Sequence, residues 1–213
     1  MTENKVQLIA MICTYLRENP SLITSSKKLT VTGPDPVPFE IASGIVIQRG
    51  GLTNHHEETD VIVVNQAVNA AKGGASSIKV VADDTDVFVL LVYFYWKEQL
   101  TNNVVMSSTS SRRMIDVKET VAKHKKIIPD IVAAHSLSGC DSVSVMHGNG
   151  KGTALKVLRA GHQLKVIGQQ NASLTSVFTE AFNFVAACYG YPKEDNINAL
   201  RFTVWSAKWQ TAS

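Results

Sequence analysis

Three carboxylates interrupt an apolar stretch between residues 77 and 100. Ser77-Ile78-Lys79-Val80-Val81-Ala82 runs into Asp83-Asp84-Thr85-Asp86, and Val87-Phe88-Val89-Leu90-Leu91-Val92-Tyr93-Phe94-Tyr95-Trp96 follows at once. The first run is short and β-branched, and it reads as a buried strand. The second reads as an apolar helix continuing to about Leu100. It has about half of the roughly 20 residues that a bilayer crossing needs, so it predicts a core helix and no membrane partner. Acids are depleted beside apolar strands unless they cap a helix or hold a ligand. Open α/β sheets place their ligand sites just beyond the carboxyl ends of strands, where Asp84 and Asp86 stand.

The rest of the chain supplies the elements for such a sheet. Val6, Ile9, Cys13 and Leu16 recur at helical spacing over residues 4–18, and Asn19-Pro20 ends that pattern. Residues 28–32 predict a strand, Gly33-Pro34-Asp35-Pro36 a turn, and 39–48 further β-structure. His55 to Lys72 predicts a helix with acids in its first turn and Gly73-Gly74 after its last. Val104-Val105-Met106 predicts another strand, and a Ser/Thr-rich loop covers Ser107 to Ser111. Helices are expected at 116–124, 128–138, 151–160, 173–188 and 195–207. The fold class is therefore α/β: a mostly parallel, Rossmann-like sheet flanked by helices over residues 1–128, with a helical part over 129–213. Hydrophobic residues at 45% and charged residues at 18% suit a chain that buries a core, and exclude wholesale disorder. Cys13, Cys140 and Cys188 are few and far apart, which fits reduced thiols in a nuclear or cytoplasmic protein. The Met-Thr-Glu-Asn-Lys start does not read as a secretory signal.

The net charge of +3 names no partner, but its distribution does. Six acids against two lysines lie between Glu57 and Asp86; ten bases against four acids lie between Arg112 and Lys165. An acidic centre beside a basic flank suits a metal-dependent enzyme acting on a polyanion. The acids fall in three places: Glu58-Thr59-Asp60 at a helix start, Asp84-Thr85-Asp86 after a strand, and Asp141 after Ser138-Gly139-Cys140. Carboxylates are hard oxygen ligands for Mg²⁺ or Mn²⁺, and gathering several is costly without a cation. One or two such ions, in a pair about 4 Å apart, support phosphodiester hydrolysis. Glu57, Glu58 and Asp60 taken alone serve equally well as complements to a helix N-terminus.

Gly148-Asn149-Gly150-Lys151-Gly152-Thr153 opens a helix with a glycine turn, which presents free N–H groups to a phosphate. It is not a P-loop: Gly152 follows Lys151 where Ser or Thr is required, and Val145 holds the place of the first glycine. A contact to a nucleic-acid backbone fits better. A small-molecule Rossmann site would need a glycine-rich turn after the first strand, and none is present. His55, His56, His135, Cys140 and His147 lack the paired spacing of a zinc site, and His135 reads as a buried, hydrogen-bonded helix residue. The aspartate beside Cys140 is expected to raise its thiol pKa. Ser138 and Ser142 lack a nucleophile-elbow context. Lys123-His124-Lys125-Lys126 could contact nucleic acid or serve in nuclear import, though a solvated face is the more common explanation of such a run, and Phe178, Phe182, Phe184, Phe202, Trp205 and Trp209 read as core at helical spacing.

In their order, these segments resemble the flap endonuclease (XPG) superfamily with its PIN-like nuclease fold. More closely, the chain resembles uncharacterised, often transposon-associated PIN-like proteins of animals. The resemblance rests on His56-Glu57-Glu58-Thr59-Asp60-Val61, on Asp84-Thr85-Asp86-Val87-Phe88-Val89-Leu90 and on His135-Ser136-Leu137-Ser138-Gly139-Cys140-Asp141-Ser142-Val143-Ser144. It implies a metal-dependent, structure-specific nuclease acting on DNA ahead of RNA. Glu58, Asp60, Asp84, Asp86 and Asp141 would be the catalytic metal ligands. Gly148, Gly150, Lys151 and Thr153 would form the nucleic-acid-binding turn of a helix–two-turn–helix element, with K⁺ as its monovalent cation. The family's first strand, bearing an aspartate, has no counterpart before the helix at 4–18. The chain thus corresponds to the C-terminal two-thirds of a nuclease domain, and a catalytically inactive PIN-like module that binds nucleic acid or protein is the alternative.

Overall fold

A computed structural model describes residues 3–53 and 58–210, without the side chains of 208–210. The chain divides into two units, Met1–Ile62 and Val63–Ser213. His55, His56 and Glu57 of the expected helix start, and the Trp209 side chain, lie outside the described residues.

In the first unit, α1 (Glu3–Glu18) precedes three short strands, β1 (Lys28–Val31), β2 (Phe39–Ala42) and β3 (Ile45–Gln48). They pair antiparallel in sequence order. Ser43 (φ 51°) and Gly44 (φ 75°) form the two-residue turn between β2 and β3, both with the positive φ that a tight hairpin of this twist requires. Phe39 and Ile41 on the central strand pack with Cys13 of α1, and the Arg17 guanidinium lies 4.4 Å from the Phe39 ring centre. Glu40 is buried on the other face of β2, with Arg49 at 3.7 Å and Lys28 at 4.0 Å.

The second unit's core begins on α2 (Thr59–Lys72). Val64, Ala67, Val68 and Ala71 are buried at i, i+3, i+4 and i+7, one face of a helix. Gly74 (φ 91°) closes α2, and the Asn102 amide donates to the carbonyls of Ala71 and Ala75 beyond its end. β4 (Ser77–Val81) then leads through α3 (Thr85–Lys97) to β5 (Asn103–Ser107), which pairs with it in parallel. β6 (Met114–Asp116) returns antiparallel to β5. Val80, Leu91, Val92, Val104 and Val117 are buried together with the α2 face.

The helical remainder comprises α4 (Val117–His124), α5 (Ile131–Leu137), α6 (Lys151–Arg159), α7 (Leu174–Cys188) and α8 (Ile197–Gln210). Asp116 caps α4 by accepting from the Glu119 N–H at 2.8 Å, and Ser173 caps α7. Ile127, Ala134, Val157, Leu158, Phe184 and Cys188 form a second buried cluster. Glu180 on α7 accepts from three successive backbone N–H groups, those of Lys165, Val166 and Ile167, at 2.8–3.0 Å. Among the described residues no helix is long and apolar enough to cross a membrane.

The α/β class holds, but the sheet is not mostly parallel. Two small three-stranded sheets replace it, and β4–β5 is the one parallel pair among the described strands. The short connections between β1, β2 and β3, and between β5 and β6, leave no room for the crossover that parallel pairing needs. The expected helix at 128–138 begins as a 3₁₀ turn at Ile128–Asp130, where Pro129 cannot donate a hydrogen bond. Phe182 and Phe184 are buried as expected, whereas Phe178, Phe202 and Trp205 are exposed.

Asp130 is 7% exposed, and burial holds its carboxyl above the usual carboxylate range, against the lowering effect of a hydrogen bond from the Leu164 N–H. A raised folded pKa contributes stability below the unfolded value, about 3.9, that is lost as pH rises through the folded one. Asp130→Asn keeps an oxygen for Leu164 and removes this titration. In thermal scans the Tm of the variant relative to the wild type is therefore expected to rise between pH 4 and pH 7.

Candidate metal centre

The chain leaves β4 and reverses into α3 through Ala82, Asp83 and Asp84. Asp83 anchors this turn: its carboxylate accepts from the Thr109 N–H at 3.0 Å and from the Thr109 hydroxyl. Hydrogen bonds from Ser108 and Thr109 hold its pKa below the ordinary value. Asp84 caps α3, its Oδ1 accepting from the Asp86 N–H at 2.8 Å. Capping fixes Asp84 at the helix N-terminus, where a negative charge meets the positive end of the helix dipole.

Asp86 lies in the first turn of α3, half-buried, and its Oδ1 is 2.7 Å from His135 Nε2. His135 is itself buried on α5. With the proton assigned to Nε2, the imidazole donates to Asp86 and holds that carboxylate in one rotamer. The half-buried Asp60, in the first turn of α2, completes a group. Asp60, Asp84 and Asp86 each offer an oxygen, and these oxygens lie within 4.8 Å of one another.

The residues fit a hard divalent cation. The donors are all carboxylate oxygens, and the group lies beyond the carboxyl end of β4, beside its parallel partner β5. Two of the three acids have one oxygen already committed, Asp84 to a backbone N–H and Asp86 to an imidazole, and each keeps its other oxygen.

The remaining expected residues are placed differently. Glu58 is exposed just before α2, its carbonyl accepting from the Ile62 N–H at 3.4 Å. Asp141 is exposed in a tight turn in which Cys140 and Val143 exchange backbone hydrogen bonds. Neither joins the carboxylate group. Gly148 takes a positive φ of 75°, and Gly150 is the N-cap residue of α6. The Gly150 carbonyl accepts from the Thr153 N–H at 3.0 Å.

Lys151 turns inward. Its ammonium donates to the carbonyls of Gly139 and His135 and lies 3.4 Å from His135 Nε2. It ties the start of α6 to the end of α5 behind the Asp86–His135 pair. Gly139 (φ 106°) cannot be replaced there, since a Cβ would stand 2.7 Å from the Val145 Cα.

Two features lie beyond the sequence reading. His135 is identifiable there as buried and hydrogen-bonded, but its partner Asp86 is 49 residues away. Its place ahead of Ser138-Gly139-Cys140-Asp141 was the available signal. The Cys140 thiol is lowered, not raised: hydrogen bonding with Ser142 is the main cause, and it outweighs the opposing charge of Asp86.

Comparison of the chain with models of known protein families, with curated proteins and with solved structures gives no match.

Lys151→Met keeps the stem and removes the ammonium, leaving the Gly139 carbonyl without its donor. A loss of about 1–3 kcal/mol in urea unfolding is expected, the cost of stranding a partly buried acceptor.

Proposed function

We propose that this chain is a PIN-like, flap-endonuclease-type domain that binds Mg²⁺ or Mn²⁺ and hydrolyses phosphodiester bonds in DNA or RNA. The observation that carries the reading is the Asp60–Asp84–Asp86 group at the end of a parallel strand pair. These three carboxylates would hold the cation, while Glu58 and Asp141, the further ligands that the family resemblance implies, stand outside the group. The bound cation supplies positive charge that activates water and offsets the charge developing on the phosphate. His135 keeps Asp86 oriented toward the group. The Gly148–Thr153 turn receives the substrate backbone on N–H groups at the start of α6, a contact that positions nucleic acid without reading its sequence. The three thiols, all free, accord with a nuclear or cytoplasmic setting.

A second reading is a PIN-like module without catalytic activity that binds nucleic acid or protein. It is favoured by the exposed placement of Glu58 and Asp141 outside the carboxylate group. A three-carboxylate group offers fewer protein ligands than the family resemblance implies.

Calorimetric titration with Mn²⁺ separates the two. Asp86→Asn keeps an acceptor for His135 and removes one charged ligand. Binding by the wild type that falls at least tenfold in Asp86→Asn, with metal-dependent cleavage of branched DNA abolished in parallel, is the expected result. His135→Ala is expected to weaken Mn²⁺ binding by about 10–100-fold, the usual cost of losing an orienting partner. Equal cleavage by wild type and Asp86→Asn would remove the nuclease assignment. No Mn²⁺ binding by a folded chain would leave the inactive module.

A further inference from the structure

The ends of α4 and α6 converge on a cavity of about 800 Å³ lined by Lys123, His124, Lys125, Lys126 and Arg159. Its floor is apolar where Ile127 and Leu158 are buried, and Asp130 is the one carboxylate in its lining. That carboxylate is buried and takes a hydrogen bond from the Leu164 N–H. Among the described residues, the side chains of Lys123, Lys125, Lys126 and Arg159 make no ion pair and no hydrogen bond.

Cations in a last helical turn often serve the helix's own free carbonyls. Here the carbonyls at the end of α6 are already taken. Lys156, Val157 and Leu158 accept from the N–H groups of Ala160, His162 and Gly161, and the His124 carbonyl accepts from Ile127. The lysines and the arginine therefore remain available to an outside partner. Their charges are felt locally: burial first, then Arg159 and Lys123, hold His124 below its ordinary pKa.

A second cavity shares a lining residue with this one. Gln163 lines both, and the second cavity, of about 540 Å³, is also lined by His162, Thr175, Ser176, Thr179 and Asn183. The four residues from α7 lie on one helical face and offer three hydroxyls and an amide. Glu180 also lines this second cavity, and its carboxylate is occupied by the backbone N–H groups of Lys165, Val166 and Ile167.

The geometry points to a binding groove for single-stranded nucleic acid, with phosphates on Lys123, Lys126 and Arg159 and the strand continuing over the hydroxyl-lined face of α7. A nucleic-acid backbone is favoured over an acidic protein segment by the row of hydroxyl and amide groups on α7, which can hydrogen-bond sugar and phosphate oxygens. A basic groove that follows the backbone is how sequence-independent single-strand binders work. α6 joins this groove to the carboxylate group: Lys151 at its start backs the Asp86–His135 pair, and Arg159 at its end is about 12 Å away at about 1.5 Å of rise per residue. The inference rests on the reading of nucleic acid as the partner, but it does not require the metal site.

The test is fluorescence anisotropy with a labelled twelve-nucleotide oligothymidylate in EDTA, over 50–200 mM salt. Replacing Lys123, Lys126 and Arg159 together by Gln is expected to raise Kd at least tenfold. The slope of log Kd against log salt is expected to shrink by about two, at about 0.7 per phosphate contact on a single strand. Lys123→Arg with Lys126→Arg is expected to bind like the wild type, and the Gln variant is expected to keep wild-type Mn²⁺ calorimetry. A Kd within twofold of wild type in the Gln variant, or no binding of the oligonucleotide by the wild type, would overturn the proposal. So would displacement of the oligonucleotide by a polyglutamate peptide at equal charge concentration, which would make the groove a protein-docking surface. Asp86→Asn is expected to bind the oligonucleotide normally in EDTA. If that variant cleaves like the wild type, the nuclease reading falls while the groove stands. If the Gln variant binds normally while Asp86→Asn loses cleavage, the groove falls while the nuclease reading stands.

Discussion

The parallel pairing of β4 with β5 sets the terms for everything around it. Two strands that run the same way need a crossover, and α3 is that crossover. The chain must therefore turn sharply from strand into helix at residues 82–84, with a helix N-terminus facing the strand ends. A turn of that kind needs acceptors for free N–H groups, and Asp83 and Asp84 provide them to Thr109 and Asp86. Once capping has placed Asp84, Asp86 follows two residues later on the same helical turn. Asp60 comes from α2, whose buried face packs into the same core. The carboxylate group is thus a consequence of how the strand pair is closed.

Close carboxylates repel, and the fold contains means to limit the cost. Asp84 sits at a helix N-terminus, Asp86 accepts from His135, and the Lys151 ammonium lies behind that imidazole. None of these neutralises the group completely, since two of the three acids keep an oxygen without a donor in the hydrogen bonds described above. The positive charge is concentrated elsewhere, at the opposite end of α6 and the end of α4. One short helix of nine residues thus carries a lysine that supports the acidic region and an arginine that belongs to the basic one.

Much of this was legible in the sequence. The strand–Asp–Asp–Thr–Asp–helix order, the helix ending at Lys72 and the glycine turn before α6 all follow from local patterns of period and capping. Other features were not, and each for a physical reason. β6 is three residues long, too short for a period to register. Strand direction depends on which strands meet, which local sequence does not record. Helical spacing says that Phe178, Phe202 and Trp205 belong to apolar faces, but not whether anything covers them. Lys151 looks like a phosphate ligand from its neighbours, and its inward turn depends on the position of Gly139, twelve residues earlier. The Asp86–His135 contact pairs residues from different helices, so neither one predicts the other.

The three cysteines end up in three different chemical states. Cys13 is buried against the Phe39 strand. Cys188 is buried in the helical part, where the loss of water pushes its thiol to about 11. Cys140 is partly exposed, and its hydrogen bonding with Ser142 favours the thiolate. Electrophiles select for thiolate and for access, so the chain carries its own addressable labelling position. A dye or spin label attached at Cys140 would sit next to the turn bearing Asp141 and within the electrostatic reach of Asp86. Its signal would report changes in the charge around Asp86 without any engineered residue.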